Sequence, residues 1–210
     1  MFKYLLISFS TVSLMIVIIS CSGAKTDIIG EWQDENYQKG SVEKVLVLGI
    51  FNKDKPLLRR NFENGMSEAF RDGGIFATPS MDHMPYDQAI DSTTFDKYFQ
   101  DLDIDAVVVS RLVGLDASRD YKAGYLYTIP FNSYYGFYGY YYAGLKYANA
   151  SGYLSKNVVV VLETNIYETS DKKLIWSGVS ETVDPEKASD VIKSFGNELV
   201  SRLGKEGYFK

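Results

Sequence analysis

Two continuous apolar runs, Lys44-Val-Leu-Val-Leu-Gly-Ile-Phe51 and Asp105-Ala-Val-Val-Val-Ser-Arg-Leu-Val113, constrain the fold of this chain more than any other feature. Each has the length of a strand, and neither alternates polar with apolar residues. Each therefore reads as a strand covered on both faces, which belongs to a layered α/β (α+β) architecture.

The segments between and after the runs supply the layers. Pro56 opens a stripe at helical spacing, Leu58, Phe62, Met66, Ala69 and Phe70, which Gly73-Gly74 ends. Ile75 to Ser80 reads as a short strand and Met81 to Asp91 as an irregular loop. Thr93 and Asp96 have capping-box spacing ahead of a helix with Phe95, Tyr98, Phe99 and Leu102 along one side. Two strand-helix-strand crossovers are implied. Right-handed connections put their helices on one side only if the strand order keeps moving in one direction.

Farther on, Asn157 to Glu168 alternates, with Val158, Val160, Leu162, Thr164 and Ile166 on one face. The turn Thr169-Ser-Asp-Lys172 leads into Lys173 to Val179, which predicts a hairpin. Asp184-Pro185 supplies a cap and a first helical position for a last helix striped by Ala188, Val191, Ile192, Phe195, Leu199 and Leu203. The expectation is a mixed sheet of about five strands with about three helices, and one long Tyr/Gly-rich insertion at 121–153 between two strands.

The N-terminus has the three parts of a secretory signal: Lys3 near the start, an apolar body from Tyr4 to Ile19, and Ser20 before Cys21, the only cysteine. The apolar stretch, about 16 residues, falls short of the roughly 20 that a spanning helix needs. Ile18-Ile19-Ser20-Cys21 resembles a bacterial lipobox. That resemblance implies a diacylglycerol thioether and an acylated amine on Cys21, with residues 1–20 removed as the signal peptide. Several acyl chains give durable anchoring where one holds marginally. The competing readings are an uncleaved anchor, or a signal cut elsewhere with Cys21 incidental. By the sorting rule for Gram-negative lipoproteins, Ser22 in place of aspartate points to the outer membrane.

Residues 22–42 are polar and broken by Gly23, Gly30 and Gly40, so 21–42 reads as a lipidated tether, with Ile28, Ile29 and Trp32 touching a single domain over 43–210. Loss of Lys3 takes the formal charge from -5 to -6, which argues against nucleic acid as a partner. No second cysteine is present for a disulfide within the chain.

Taken in order, Trp32-Gln-Asp, Lys44-Val-Leu-Val-Leu-Gly, Arg59-Arg60-Asn-Phe62-Glu63, Thr78-Pro-Ser80, Asp105-Ala-Val-Val-Val-Ser-Arg-Leu-Val-Gly and Leu174-Ile-Trp176-Ser-Gly178 carry a resemblance. The chain, from about Trp32 to its C-terminus, resembles an uncharacterised family of small bacterial (Gram-negative) lipoproteins. The resemblance implies fold and location and no activity. In element order the chain also looks like the periplasmic domains of curli-type secretion lipoproteins and of lipoproteins that activate cell-wall synthases, an analogy of fold that does not transfer function.

Eleven of the seventeen tyrosines lie between Tyr121 and Tyr153, centred on Tyr134-Tyr-Gly-Phe-Tyr-Gly-Tyr-Tyr-Tyr142. A connection of this length is uncommon unless it is functional or disordered. Tyrosine offers a large contact area, little rotamer entropy to lose and a hydroxyl that tolerates water. Tyr134, Tyr135, Phe137, Tyr138, Tyr140, Tyr141 and Tyr142 are therefore candidates for binding a protein, a glycan or the membrane interface. The inert alternatives are a hairpin packed on itself, a solvated loop without a partner and a lid over the sheet.

No catalytic pattern stands out: there is no G-x-S-x-G, phosphate-binding glycine loop or H-E-x-x-H. His83, between Asp82 and Met84, reads as a solvated turn rather than a metal ligand. Asp101, Asp103 and Asp105 lack the glycine and terminal glutamate of a calcium loop. Arg59, Arg60 and Glu63 fit a solvated first turn or a local ion pair, with a partner-binding role as the alternative, and Trp176 fits the core. Asn149-Ala-Ser151 matches a glycosylation acceptor, which is uninformative if the host is bacterial. No catalytic, cofactor or metal residue is assigned. The reading is a non-enzymatic outer-membrane lipoprotein, its domain in the periplasm, that binds an envelope protein or glycan through the Tyr-rich loop. The alternative is a self-assembling envelope component or export-pore subunit, and so a homo-oligomer.

Overall fold

The structure, a computed structural model, describes residues 24–116, 136–148, 159–183 and 185–210. Cys21, Tyr134, Tyr135 and Asn149-Ala-Ser151 lie outside them. In chain order the elements are β1 (Lys25–Gln33), β2 (Lys44–Ile50), α1 (Pro56–Asp72), β3 (Phe76–Pro79), α2 (Ser92–Phe99), β4 (Ala106–Asp116), α3 (Gly136–Ala148), β5 (Val159–Glu168), β6 (Leu174–Val183) and α4 (Ala188–Lys205). The strands form one mixed sheet in the order β1-β6-β5-β4-β2-β3. β2 is parallel to both β3 and β4, and the remaining pairs are antiparallel.

The two apolar runs become β2 and β4, neighbours inside the sheet, and side chains from both strands are buried on both faces. From β2 the chain steps to the edge strand β3, then returns past β2 to β4. The direction reverses, so right-handed crossovers place the two connecting helices on opposite faces. They are found there. Phe62, Met66 and Phe70 of α1 pack with Val45 and Val47, whereas Phe95 and Phe99 of α2 pack with Leu46, Leu48 and Ile50.

α4 lies beside α1 at very close range. A Cβ on Gly65 would come 2.5 Å from Ile192 Cγ2, one on Gly73 would come 2.5 Å from Val200 Cγ1, and one on Gly196 would come 2.7 Å from Ala69 Cβ. The contacts recur every four residues on both helices, the spacing that keeps residues on one helical face.

Three expectations are corrected. The sheet has a sixth strand, because Lys25–Gln33, assigned to the tether 21–42, is β1, paired along its length with β6. Its sequence is polar and half buried, so its strand character comes from the neighbour it pairs with. A bulge between Ile28 and Gly30 and the charges of Lys25 and Asp27 suit it to a sheet edge. A fourth helix, α3, lies inside the Tyr-rich insertion. The caps also differ. Asp91 caps α2, accepting from the Thr94 amide at 2.8 Å while Thr94 Oγ1 accepts from the Asp91 amide at 2.7 Å. α4 starts at Ala188, beyond Pro185, where Asp190 accepts from the Lys187 amide.

The β5–β6 hairpin forms as expected, and Trp176 is buried in the α1/α4 core. Its ring lies over Gly178, where a Cβ would meet Trp176 Cη2 at 2.1 Å.

Candidate functional site

The loops that leave the neighbouring parallel strands β2 and β3 turn to opposite faces, and a crevice opens where they part. In open α/β sheets ligands bind outside the carboxyl ends of the strands at such a switch point. Here the crevice is a small groove open to solvent. Phe51, Pro56, Tyr86, Tyr141 and Leu145 give it an apolar wall, and Asn52, Asp87 and Gln88 give it polar groups.

Its floor is fixed by a buried ion pair. Glu63 is 0% exposed, and its carboxylate accepts from Arg59 Nε at 2.7 Å, the Gly49 amide at 3.0 Å, Ser80 Oγ at 2.9 Å and the Met81 amide at 2.9 Å. Arg59 also donates to Ser80 Oγ at 2.9 Å and to the Tyr86 carbonyl at 3.1 Å. One carboxylate and one guanidinium thus hold together the end of β2, the first turns of α1, the turn after β3 and the loop carrying Tyr86. Of the two sequence readings of Arg59 and Glu63, the local ion pair is the one found, buried rather than solvated, and the carboxylate's other partners come from the end of β2 and the turn after β3. Only Arg60 keeps a half-exposed pairing, with Asp82 at 3.0 Å.

α3 forms the other wall, and it divides the aromatic candidates. Phe137, Tyr140 and Tyr141, at helical spacing i, i+3 and i+4, are buried, Tyr138 is partly buried, and Tyr142 is 43% exposed. Phe137 meets Phe95 and Tyr167 at centroid distances of 5.5 Å, and Tyr140 meets Tyr167 at 6.3 Å. The single aromatic surface expected from sequence is therefore corrected. Gly136 and the run of aromatics disfavour a helix on propensity, and α3 is held by packing its aromatic side against the sheet. Tyr134 and Tyr135 lie outside the described residues.

Arg111 of β4 and Glu163 of β5 face each other across the sheet as a largely buried ion pair, and the Arg111 guanidinium stands 5.5 Å from the Tyr140 ring centroid. Burial pushes the Tyr140 phenol well above its ordinary range, with the Glu163 charge acting in the same sense. Burial also raises Tyr141, and it raises Tyr138 to about 12 with help from Asp96 and Asp91. At neutral pH these phenols are neutral hydrogen-bonding groups, unsuited to act as nucleophiles or bases.

The other singled-out residues serve the fold. His83 Nε2 lies 2.7 Å from Thr78 Oγ1, and among the described residues no group of three His, Cys, Asp or Glu could hold a metal. Asp105 accepts from the Glu43 and Lys44 amides at 2.9 Å each, and Asp103 pairs with Lys44 at 2.6 Å, so these carboxylates fasten the start of β2. Sequence reasoning missed the groove itself. Its only local signal was the i, i+4 pair of Arg59 and Glu63, since nothing in sequence links Gly49 or Ser80 to that pair.

No family model matches the chain, and no curated protein matches it. Among solved structures, the chain is similar to a PelC dodecamer from Paraburkholderia phytofirmans, at 12% identity and a TM-score of 0.48, covering 86% of this chain and 98% of that one. A single-substitution variant of the same dodecamer gives 13% identity and a TM-score of 0.46, covering 83% and 96%. At that degree of overlap the likeness carries nothing about function.

Proposed function

We propose that this protein is a non-enzymatic outer-membrane lipoprotein, acylated at Cys21, whose domain faces the periplasm and binds an envelope protein or glycan at the groove beside α3. The observation that carries the binding role is the groove. It has an aromatic wall, a polar rim of amide and carboxylate side chains, and a floor braced by the buried Arg59–Glu63 pair. Aromatic surface with a few placed polar groups is the common make-up of a binding cleft. Tyr86 and Tyr142 are its exposed aromatics, at the groove and immediately beside it.

Photo-cross-linking residues placed at Tyr86, Tyr142 and, as a control, Phe76 on the sheet edge test the proposal in cells that make the full chain. Adducts of one defined mass at the first two positions and none at Phe76 are expected. Adducts only between copies of the chain would replace this reading with self-assembly, and adducts equal at all three positions would refute the groove.

A further inference from the structure

The sheet brings four strand ends to one place. Lys25 pairs with Val183, Val183 with Val159, and Val159 with Asp116. The first residues of β1 and β5 and the last of β4 and β6 therefore stand in a single row, about 15 Å wide at roughly 4.8 Å per strand. β2 and β3, parallel to β4, end toward the same side. α1 and α4 begin on that side, because each follows a strand that ends there.

The anchor point is equally close. Only Ser22, Gly23 and Ala24 separate Cys21 from Lys25. Even fully extended, that stretch puts the two Cα atoms no more than about 14 Å apart. A tether running to residue 42 would have let the domain hang up to roughly 70 Å away, but β1 joins the sheet from Lys25 onward and leaves only the three intervening residues as tether.

We infer that the sheet end carrying this row is held against the bilayer surface, with Val183 and its strand-end neighbours at headgroup level and the groove opening on the membrane side of the domain. This rests on acylation of Cys21. Exposed apolar residues lie at both ends of the sheet, Trp32 and Phe76 toward the far one, so the short tether sets the orientation and the apolar residues at the near end supply contact. Val183 in the row is 44% exposed, and Leu57 in the first turn of α1, toward the same end, is 75% exposed. The far end lies well away: α4 has 18 residues, so Lys205 stands about 27 Å from the start of that helix. With a net charge of -6 once Lys3 is gone, the chain has no general electrostatic attraction to an anionic surface. The short tether and apolar contact hold the face in place.

Because Cys21 is the only native cysteine and lipidation consumes its thiol, a second cysteine accepts a single probe. An environment-sensitive fluorophore is attached at Val183→Cys, and separately at the far-end controls Phe76→Cys and Lys205→Cys. The full-length acylated protein is placed in vesicles of phosphatidylethanolamine and phosphatidylglycerol doped with a headgroup-spin-labelled lipid. Quenching at position 183 is expected to be several-fold that at 76 and 205. Inserting about 20 Gly/Ser residues after Ser22 is expected to abolish the difference. The intact mass of the same sample reports the acyl groups. An acylated protein quenched equally at 183 and 205 overturns the apposition and leaves the lipoprotein reading standing. An unacylated Cys21 overturns both.

Discussion

The two faces of this sheet are built from different chemistry. On one, α1 and α4 pack Phe62, Met66, Phe70, Ile192, Phe195 and Leu199 against aliphatic strand residues, and glycines let the helices nearly touch. On the other, the short α2 and the tyrosine-rich α3 cover the sheet with phenols lying next to the Arg111–Glu163 pair. The first face closes mainly by shape, with one buried phenol, Tyr208, donating to the Ile175 carbonyl at 3.1 Å. The second closes with groups that each need a polar partner, and it leaves a groove where its loops part. Burying polar groups is costly unless they are paired, so the second face is where the chain departs from what stability alone asks for, and the groove proposed to bind a partner lies beside it.

The sharpest way to break this contrast is at Glu63, which belongs to α1 of the first face while its carboxylate holds the groove of the second. Glu63→Ala leaves the Arg59 guanidinium buried without its carboxylate, and removing one partner of a buried pair costs about 3–5 kcal/mol. Urea unfolding should show a loss of that size. Hydrogen exchange should place the earliest opening in the Tyr86 loop and the turn after β3, with α1 and α4 still protected. A loss under about 1 kcal/mol would mean that water replaces the carboxylate and that the floor is less closed than its hydrogen bonds imply.

A second test acts on the first face alone. Gly196→Val puts a branched side chain where even a Cβ would come 2.7 Å from Ala69 Cβ, so the helices must separate. Overpacking of this kind costs about 1–3 kcal/mol. If the faces are independent, the groove keeps its partner cross-links while the melting temperature falls. Cross-links lost along with stability would show that α1 transmits the strain through Glu63.

Most of the first face was legible in the sequence, and little of the second was. Leu58 to Phe70 and Val191 to Leu203 follow the helical period because each helix turns one wet side and one dry side. Val160, Leu162 and Ile166 alternate because they face the α1/α4 core, although β5 proves buried on both faces, its other side carrying polar Glu163, Asn165 and Tyr167. β1 escaped detection because an edge strand with half its side chains in water has no apolar pattern, and only β6 makes it a strand. α3 escaped because its core-facing residues are tyrosines, which read equally well as surface. The groove escaped because its lining comes from three stretches far apart along the chain, 51–59, 86–89 and 141–145.

The phenols of the second face also predict a pH dependence, which the buried Tyr208 of the first face, its phenol raised by burial, shares. Tyr138 keeps its proton to about 12 in the folded protein, against 10.0 ordinarily, and Tyr140 and Tyr141 are shifted the same way. Between those values the unfolded chain has released protons that the folded chain still holds. Stability therefore falls as pH rises through that window and is unaffected by these groups below it. Unfolding followed against pH should bend downward above pH 10, and tyrosinate absorbance should appear in step with unfolding. A folded protein whose tyrosines all titrate near the ordinary value would mean that the α3 layer is open to water.

The smallest effect on stability is expected at Tyr142, and it separates the two roles of α3. The side chain is 43% exposed, and among the described residues its ring contact is Tyr141 at 5.8 Å. Tyr142→Ala should stay within about 0.5 kcal/mol of the parent in unfolding, because no buried cluster loses a member. If the groove rim binds a partner, the same substitution should weaken the cross-link at Tyr86 several-fold, since interfaces concentrate their energy in a few aromatic anchors. Unchanged stability with unchanged cross-linking would make Tyr142 a bystander and confine recognition to the β2 and β3 loops. A loss of stability comparable to that of Gly196→Val would show that α3 closes its face through Tyr142 as well, and the exposed side of the helix would then belong to the fold.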